Sequence, residues 1–93
     1  MHIVVLTMRF SLPGCRSLKE KRQRMGGMHE RYGRQPAVAV CESGDRDRVD
    51  ASEWTFVVTG LSAQEVEPLC SEIEDRIQRT VEARVMDVVR ESL

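Results

Sequence analysis

Leu12-Pro13-Gly14-Cys15-Arg16-Ser17-Leu18-Lys19-Glu20-Lys21-Arg22 joins two segments of different period. Before it, residues 2–12 alternate. Val4, Leu6, Met8, Phe10 and Leu12 form one apolar row, and Ile3, Val5, Thr7, Arg9 and Ser11 form a second row that turns polar. Period two with β-branched residues marks a strand. Its first half is apolar on both rows, which places it in the middle of a sheet. Pro13-Gly14 stops it, since proline lacks an N–H and glycine turns freely. Beyond, the period becomes helical: Leu18, Met25, Met28 and Tyr32 share one side. Ser17-Leu18-Lys19-Glu20 fits a capping box, in which the Ser17 hydroxyl accepts from the Glu20 N–H and the Glu20 carboxylate accepts from the Ser17 N–H. The spacing predicts a helix that ends at Gly33. Gly26-Gly27 is its weak point, at roughly 1 kcal/mol per glycine relative to alanine, and the place for a kink or a close backbone contact. Lys21 falls beside the apolar stripe, so its stem is expected to snorkel along the core edge.

Further along, Pro36–Cys41 reads as a second strand, with Val38 and Val40 on one face. Residues 43–52 are polar and charged and read as a mobile connection. Asp45, Asp47 and Asp50 have partial calcium-loop spacing, but the glycine and glutamate of such a loop are out of register. Trp54, Phe56 and Val58 alternate with Thr55, Val57 and Thr59, a third strand ended by Gly60. Ser62-Ala63-Gln64-Glu65 is a second capping-box pattern. Val66, Leu69, Cys70, Ile73 and Ile77 then follow helical spacing, with an acidic outer face of Glu65, Glu67, Glu72, Glu74 and Asp75. Pro68 distorts this helix if Ser62 is the cap, and is comfortable if the regular helix begins near Glu67. Residues 81–89 alternate again as a last strand, with the core-facing row undetermined.

The order is β-α-β-β-α-β, that of an α+β ferredoxin-like sandwich: a four-stranded antiparallel sheet with two helices on one face. Val4, Leu6, Met8, Phe10, Trp54, Phe56 and Val58 are expected to meet Leu18, Met25, Met28, Leu69, Ile73 and Ile77. Ile3, Val5, Thr7, Thr55, Val57 and Thr59 make up the other sheet face. It is apolar enough to need partial cover, and a homodimer through this open face is one expectation.

With 93 residues, the chain reads as one domain over residues 1–93 that buries roughly 60–65% of its unfolded surface. No apolar run approaches the ~18 residues of a membrane span, and the first residues lack the pattern of a secretory leader. A cytoplasmic, membrane-free protein is the expectation. Three cysteines without C-x-x-C spacing argue against a disulfide framework and against a zinc site. Cys41 and Cys70 read as small buried hydrophobes. Cys15 sits where a helix start and Arg16 could lower its pKa, but no base is placed beside it. No cofactor is implied. Charge is uneven: residues 1–35 carry eight Lys/Arg and two acids, whereas residues 61–93 carry four bases and eight acids.

The run Leu12–Arg22 resembles the signature of the small bacterial YlxP-like family, a domain of unknown function. Val57-Val58-Thr59-Gly60 and Val85-Met86-Asp87-Val88-Val89-Arg90-Glu91 are similar to further features of that family. The sequence departs from the family pattern at Gly26-Gly27 and between Glu42 and Ser52. The resemblance implies a ferredoxin-like fold with no established activity. It also implies a gene neighbourhood of translation and ribosome-maturation factors, and hence an RNA or ribosomal partner.

The basic residues Arg16, Lys19, Lys21, Arg22 and Arg24 are the candidate nucleic-acid or anion-binding set, with Arg9, Arg31 and Arg34 nearby. The helix start inside this cluster adds free N–H groups and a dipole. The expectation is a non-catalytic binding module that contacts RNA or a ribosomal subunit. The sheet face has no paired aromatics for stacking bases, and the overall charge is near zero. The competing expectations are a solvated basic face paired with the acids of the second helix, a homodimeric protein-interaction adaptor, and a small-phosphate enzyme. The last is disfavoured. Gly14 and Arg16 before a capped helix resemble the cradle of acylphosphatases, but the chain lacks their fuller motif and contains no asparagine. No Ser–His or His–carboxylate spacing suggests another catalytic arrangement.

Overall fold

The computed structural model describes all 93 residues, Met1–Leu93. The elements are β1 (His2–Ser11), α1 (Leu18–Met25), α2 (Met28–Tyr32), β2 (Val38–Gly44), β3 (Ala51–Gly60), α3 (Ala63–Thr80) and β4 (Arg84–Ser92). The four strands form one antiparallel sheet in the order β2-β3-β1-β4. This is the ferredoxin-like α+β sandwich, with β1 central as its two apolar rows demand. Register sets Val4, Leu6, Met8 and Phe10 opposite Val58, Phe56, Trp54 and Ser52. That row meets Met25, Met28, Tyr32, Val66, Cys70, Ile73 and Ile77 in a single core. Leu18 and Leu69, expected inside, lie at its half-buried margin.

The first helix is not continuous. Gly26 and Gly27 both adopt left-handed backbone, at φ 74° and 71°, and divide it into α1 and α2. The wheel still holds on both sides of the break, since Met25, Met28 and Tyr32 are all buried. The glycines re-aim the chain without changing which residues face inward. Tyr32 packs edge-on against Phe56, with ring centroids 5.6 Å apart. It is 2% exposed and its hydroxyl has no partner. Burial pushes this phenol above its ordinary value of 10.0. A raised folded pKa contributes stability that is complete below the unfolded value and is lost as pH climbs through the folded one. The chain has one tyrosine. Its phenolate absorbance is therefore expected to rise above pH 10 only in step with loss of the near-ultraviolet circular dichroism. Ionisation at pH 10 in a fully folded protein would contradict the burial.

α3 starts at Ala63, and Pro68 lies inside it. Of the two placements open from sequence, the helix takes the one that carries the proline past the first turn. Pro68 points to solvent, where a carbonyl lacking its usual N–H partner turns towards water. The Ser62 hydroxyl makes no cap bond; the Glu65 carboxylate instead accepts from the Leu61 N–H at 2.9 Å. Cys70 is fully buried and its thiol is pushed up by that burial. Cys41, expected inside, is exposed, because it lies on the outward row of the edge strand β2.

β4 begins three residues later than its alternation suggests, and Val81 and Ala83 pack against the core as a lead-in. A bulge between Arg9 and Phe10 sets Arg9 opposite Asp87 and Phe10 opposite Val85. Met86 is the extra residue. The core row therefore runs Val85, Val88, Arg90, with a change of parity at the bulge. Strict alternation could not identify that row because the strand does not keep to it. Arg90 ends the row as a clamp to α3. It donates to both oxygens of Glu74 at 2.9 Å, to Glu67 at 3.1 Å and to the Ser71 hydroxyl at 3.1 Å. The Glu74 hydrogen bonds raise the guanidinium pKa further.

Candidate nucleic-acid interface

The start of α1 is capped as the S-x-x-E pattern requires, with one shift. The Ser17 hydroxyl accepts from the Glu20 N–H at 3.0 Å. The Glu20 carboxylate accepts at 2.7 Å from the Arg16 N–H, not from that of Ser17. Residue 16 is thereby tied to the helix it precedes. Glu20 also supplies a negative charge at the positive end of the α1 dipole. The helix start is thus compensated in part from within, by one capped N–H and one carboxylate.

The five candidate cations divide into two groups. Lys21 is 4% exposed. Its Nζ donates to the carbonyls of Asp45 at 2.7 Å and Arg48 at 2.8 Å, and pairs with Glu42 at 2.9 Å. Glu42 also accepts from the buried Ser52 hydroxyl at 2.8 Å. The expected snorkelling is corrected: the ammonium goes inward, because β2 brings a carboxylate and the β2–β3 loop brings carbonyls to meet it. The same contacts correct the reading of residues 43–52 as a mobile connection. β2 extends to Gly44 and β3 starts at Ala51, and the short loop between them is folded around Lys21. Arg24 is also occupied, donating to Glu82 O at 2.8 Å and Pro13 O at 2.9 Å. It ties α1 to the segments that leave β1 and enter β4 at one end of the sheet.

Arg16, Lys19 and Arg22 are exposed and make no ion pair. The α3 acids, which could have neutralised them, are engaged elsewhere. Glu67 and Glu74 hold Arg90, Glu72 holds Arg76, and Asp75 holds Arg79. These α3 acids therefore do not neutralise Arg16, Lys19 or Arg22. Arg46, exposed in the β2–β3 loop, adds a fourth unpaired cation on the α1 side.

Arg22 stands between two hollows. One, of about 280 Å³, lies between α1 and the β2–β3 loop and includes Leu18, Arg22, Met25, Arg46, Asp47 and Trp54 in its lining. The other, of about 260 Å³, lies towards α2 and includes Gly27, His29 and Glu30 with the same Arg22, Met25 and Trp54. Trp54 is 7% exposed, its indole N–H has no acceptor in the protein, and the His29 ring meets it edge-on at 5.2 Å.

Sequence reading placed Trp54 only in the core and passed over Arg46. One signal was available for Arg46. In Asp-Arg-Asp-Arg its charge is offset in sequence by flanking acids, but a turn can separate neighbours that a linear count cancels. For Trp54 there was no such signal, since its register identifies it as core and its position under Arg22 depends on tertiary packing.

Over residues 3–90 the chain matches the family described as Protein of unknown function (DUF503). No curated protein matches it.

Proposed function

Since the chain belongs to the DUF503 family of proteins of unknown function, its role has to be argued from its own residues, and we propose that it is a non-catalytic module that binds RNA, free or in a ribosomal subunit. The observation that supports this is a set of exposed cations left without partners. Arg16, Lys19 and Arg22 remain unpaired on one side although the protein has more acids than bases. Unpaired, solvated cations in a row are what neutralise backbone phosphates with release of counterions. Lys21 and Arg24 drop out of the contacting set, and Arg46 enters it. The similarity of Leu12–Arg22 to the YlxP-like signature fits the same reading, which includes no cofactor and no reaction step.

The reading makes a quantitative prediction. Three or four phosphate contacts on single-stranded RNA give a log–log salt slope of about −2 to −3. Fluorescence anisotropy across a salt series measures it, and Arg16→Ala with Arg22→Ala is expected to flatten the slope by roughly 1.4. Binding that is absent at low salt, or unaltered in the double variant, would sink the reading. Co-sedimentation with ribosomal subunits at two salt concentrations tests the particle-bound form.

A second reading rests on the open sheet face. Val57 is 38% and Val89 51% exposed beside half-buried Ile3 and Val5. An unpaired apolar face of this kind suits a second copy of the chain. Light scattering is expected to give twice the chain mass, and Val57→Glu to return it to one. A wild-type monomer at high protein concentration removes this reading.

A further inference from the structure

We infer that the twin hollow around Arg22 and Trp54 receives one unpaired base of a single-stranded RNA. The inference rests on the RNA-binding reading and deepens it, because the hollow lies directly beneath one of the proposed phosphate-binding cations. Two observations converge on a base as the occupant.

The first is the floor. Met25 and Trp54 line both hollows and Leu18 lines one, giving apolar atoms for a ring to pack on. A bare phosphate has no use for such a floor. The second is the rim. Arg22 and Arg46 offer donors, Asp47 and Glu30 offer acceptors, and all four are exposed. An apolar ligand would strip water from these groups without replacing their hydrogen bonds. A base, whose edge carries both donors and acceptors, can satisfy them.

Size restricts the stoichiometry. About 280 Å³ is at the lower edge of small-ligand sites, which suits one nucleotide unit. A base within a duplex keeps its edge paired and its faces stacked, so the hollow selects for single strands. Arg22 contacts the phosphate of the inserted nucleotide, and Lys19 and Arg16 contact those that follow along α1.

The protein reports on its own occupancy, because Trp54 is the sole tryptophan. Two oligomers of equal length and charge separate the terms: a single-stranded homopolymer of uridylate and a ribose-phosphate oligomer without bases. The uridylate oligomer is expected to change Trp54 emission saturably and to bind roughly 5- to 150-fold more tightly than the abasic one, the range of one stacked base. Arg46→Ala, an exposed loop change that leaves the core untouched, is expected to narrow that ratio. Equal affinity for the two oligomers with no change in emission overturns the base hollow and leaves the phosphate reading standing. Failure of both oligomers to bind overturns both. Uridylate binding that outlasts Arg46→Ala with its ratio intact also counts against the hollow.

Discussion

Replacing Lys21 by methionine is expected to lower the unfolding free energy by about 3 kcal/mol, a large part of the roughly 5–15 kcal/mol typical of a small domain. Methionine restores the volume of the stem, so the loss isolates the ammonium. That group holds one carboxylate and two carbonyls at 2.7–2.9 Å. Without it, the Glu42 carboxylate is left with only the Ser52 hydroxyl as partner, and the carbonyls of Asp45 and Arg48 lose their donor. The figure lies at the lower end for a broken buried pair because the Glu42 side chain retains 20% exposure and can recruit water. Urea unfolding followed by circular dichroism gives the value from midpoint and slope. A loss under about 0.5 kcal/mol, the range of ordinary surface substitutions, would show that Lys21 does not organise the loop.

Two companions identify the source of the loss. Lys21→Met combined with Glu42→Leu removes the orphaned carboxylate and is expected to recover part of the stability, because apolar replacement of a buried pair is often close to neutral. Recovery stays incomplete, since the loop carbonyls remain unpaired. Lys21→Arg keeps the charge and is expected to rescue poorly: a planar fork cannot meet oxygens that surround a compact ammonium from several sides. The same loop carries Arg46 and Asp47, which line the hollow beside Arg22. Lys21 and Glu42 line that hollow as well, and Lys21 acts on the proposed site by fixing its wall.

Lys21 also marks the limit of what the sequence could show. Its position beside the apolar stripe was legible from the helical wheel, and so were the cap at Ser17, the strand stop at Pro13-Gly14 and the central place of β1. These are local patterns, set by neighbours within one or two turns. The direction of the ammonium was not legible, because it depends on Glu42 and Ser52, some twenty to thirty residues away. The Arg90 clamp escaped for the same reason, compounded by the bulge at Met86 that breaks the period on which strand reading relies. The acidic face of α3 was visible, and Arg76 and Arg79 pair within it at i,i+4 spacing, but Arg90 could be assigned to Glu67 and Glu74 only once β4 was placed beside β1. Of the proposed site, the cations were legible as composition. Which of them remain free, and what lies beneath them, required the tertiary structure.

Changing both Gly26 and Gly27 to alanine is expected to cost about 2–4 kcal/mol, at 1–2 kcal/mol for each L-residue held in left-handed backbone. Sterics do not set this cost. A Cβ at Gly26 meets nothing within 4 Å, and at Gly27 only the flexible Glu30 carboxylate at 3.2 Å. The strain is in φ alone. The chain can escape it by running α1 straight into α2, where alanine regains helix propensity of up to ~1 kcal/mol per residue. That route moves α2 off the sheet and withdraws Met28 and Tyr32 from the core, so stability falls by either path. Asparagine at both positions tolerates the left-handed region better and is expected to lose about half as much. An alanine pair as stable as the wild type, by urea midpoint, would mean the break is incidental. The break also bears on binding. Gly27, His29 and Glu30 line the hollow on the α2 side, whereas Arg16, Lys19 and Arg22 lie before the glycines on a helix with its own cap. The alanine pair is therefore expected to retain the salt-dependent affinity for an abasic oligomer while losing most of the preference for a base-bearing one. Equal loss for both oligomers would mean that α1 and α2 carry one surface and that the glycines do not divide phosphate contact from base contact.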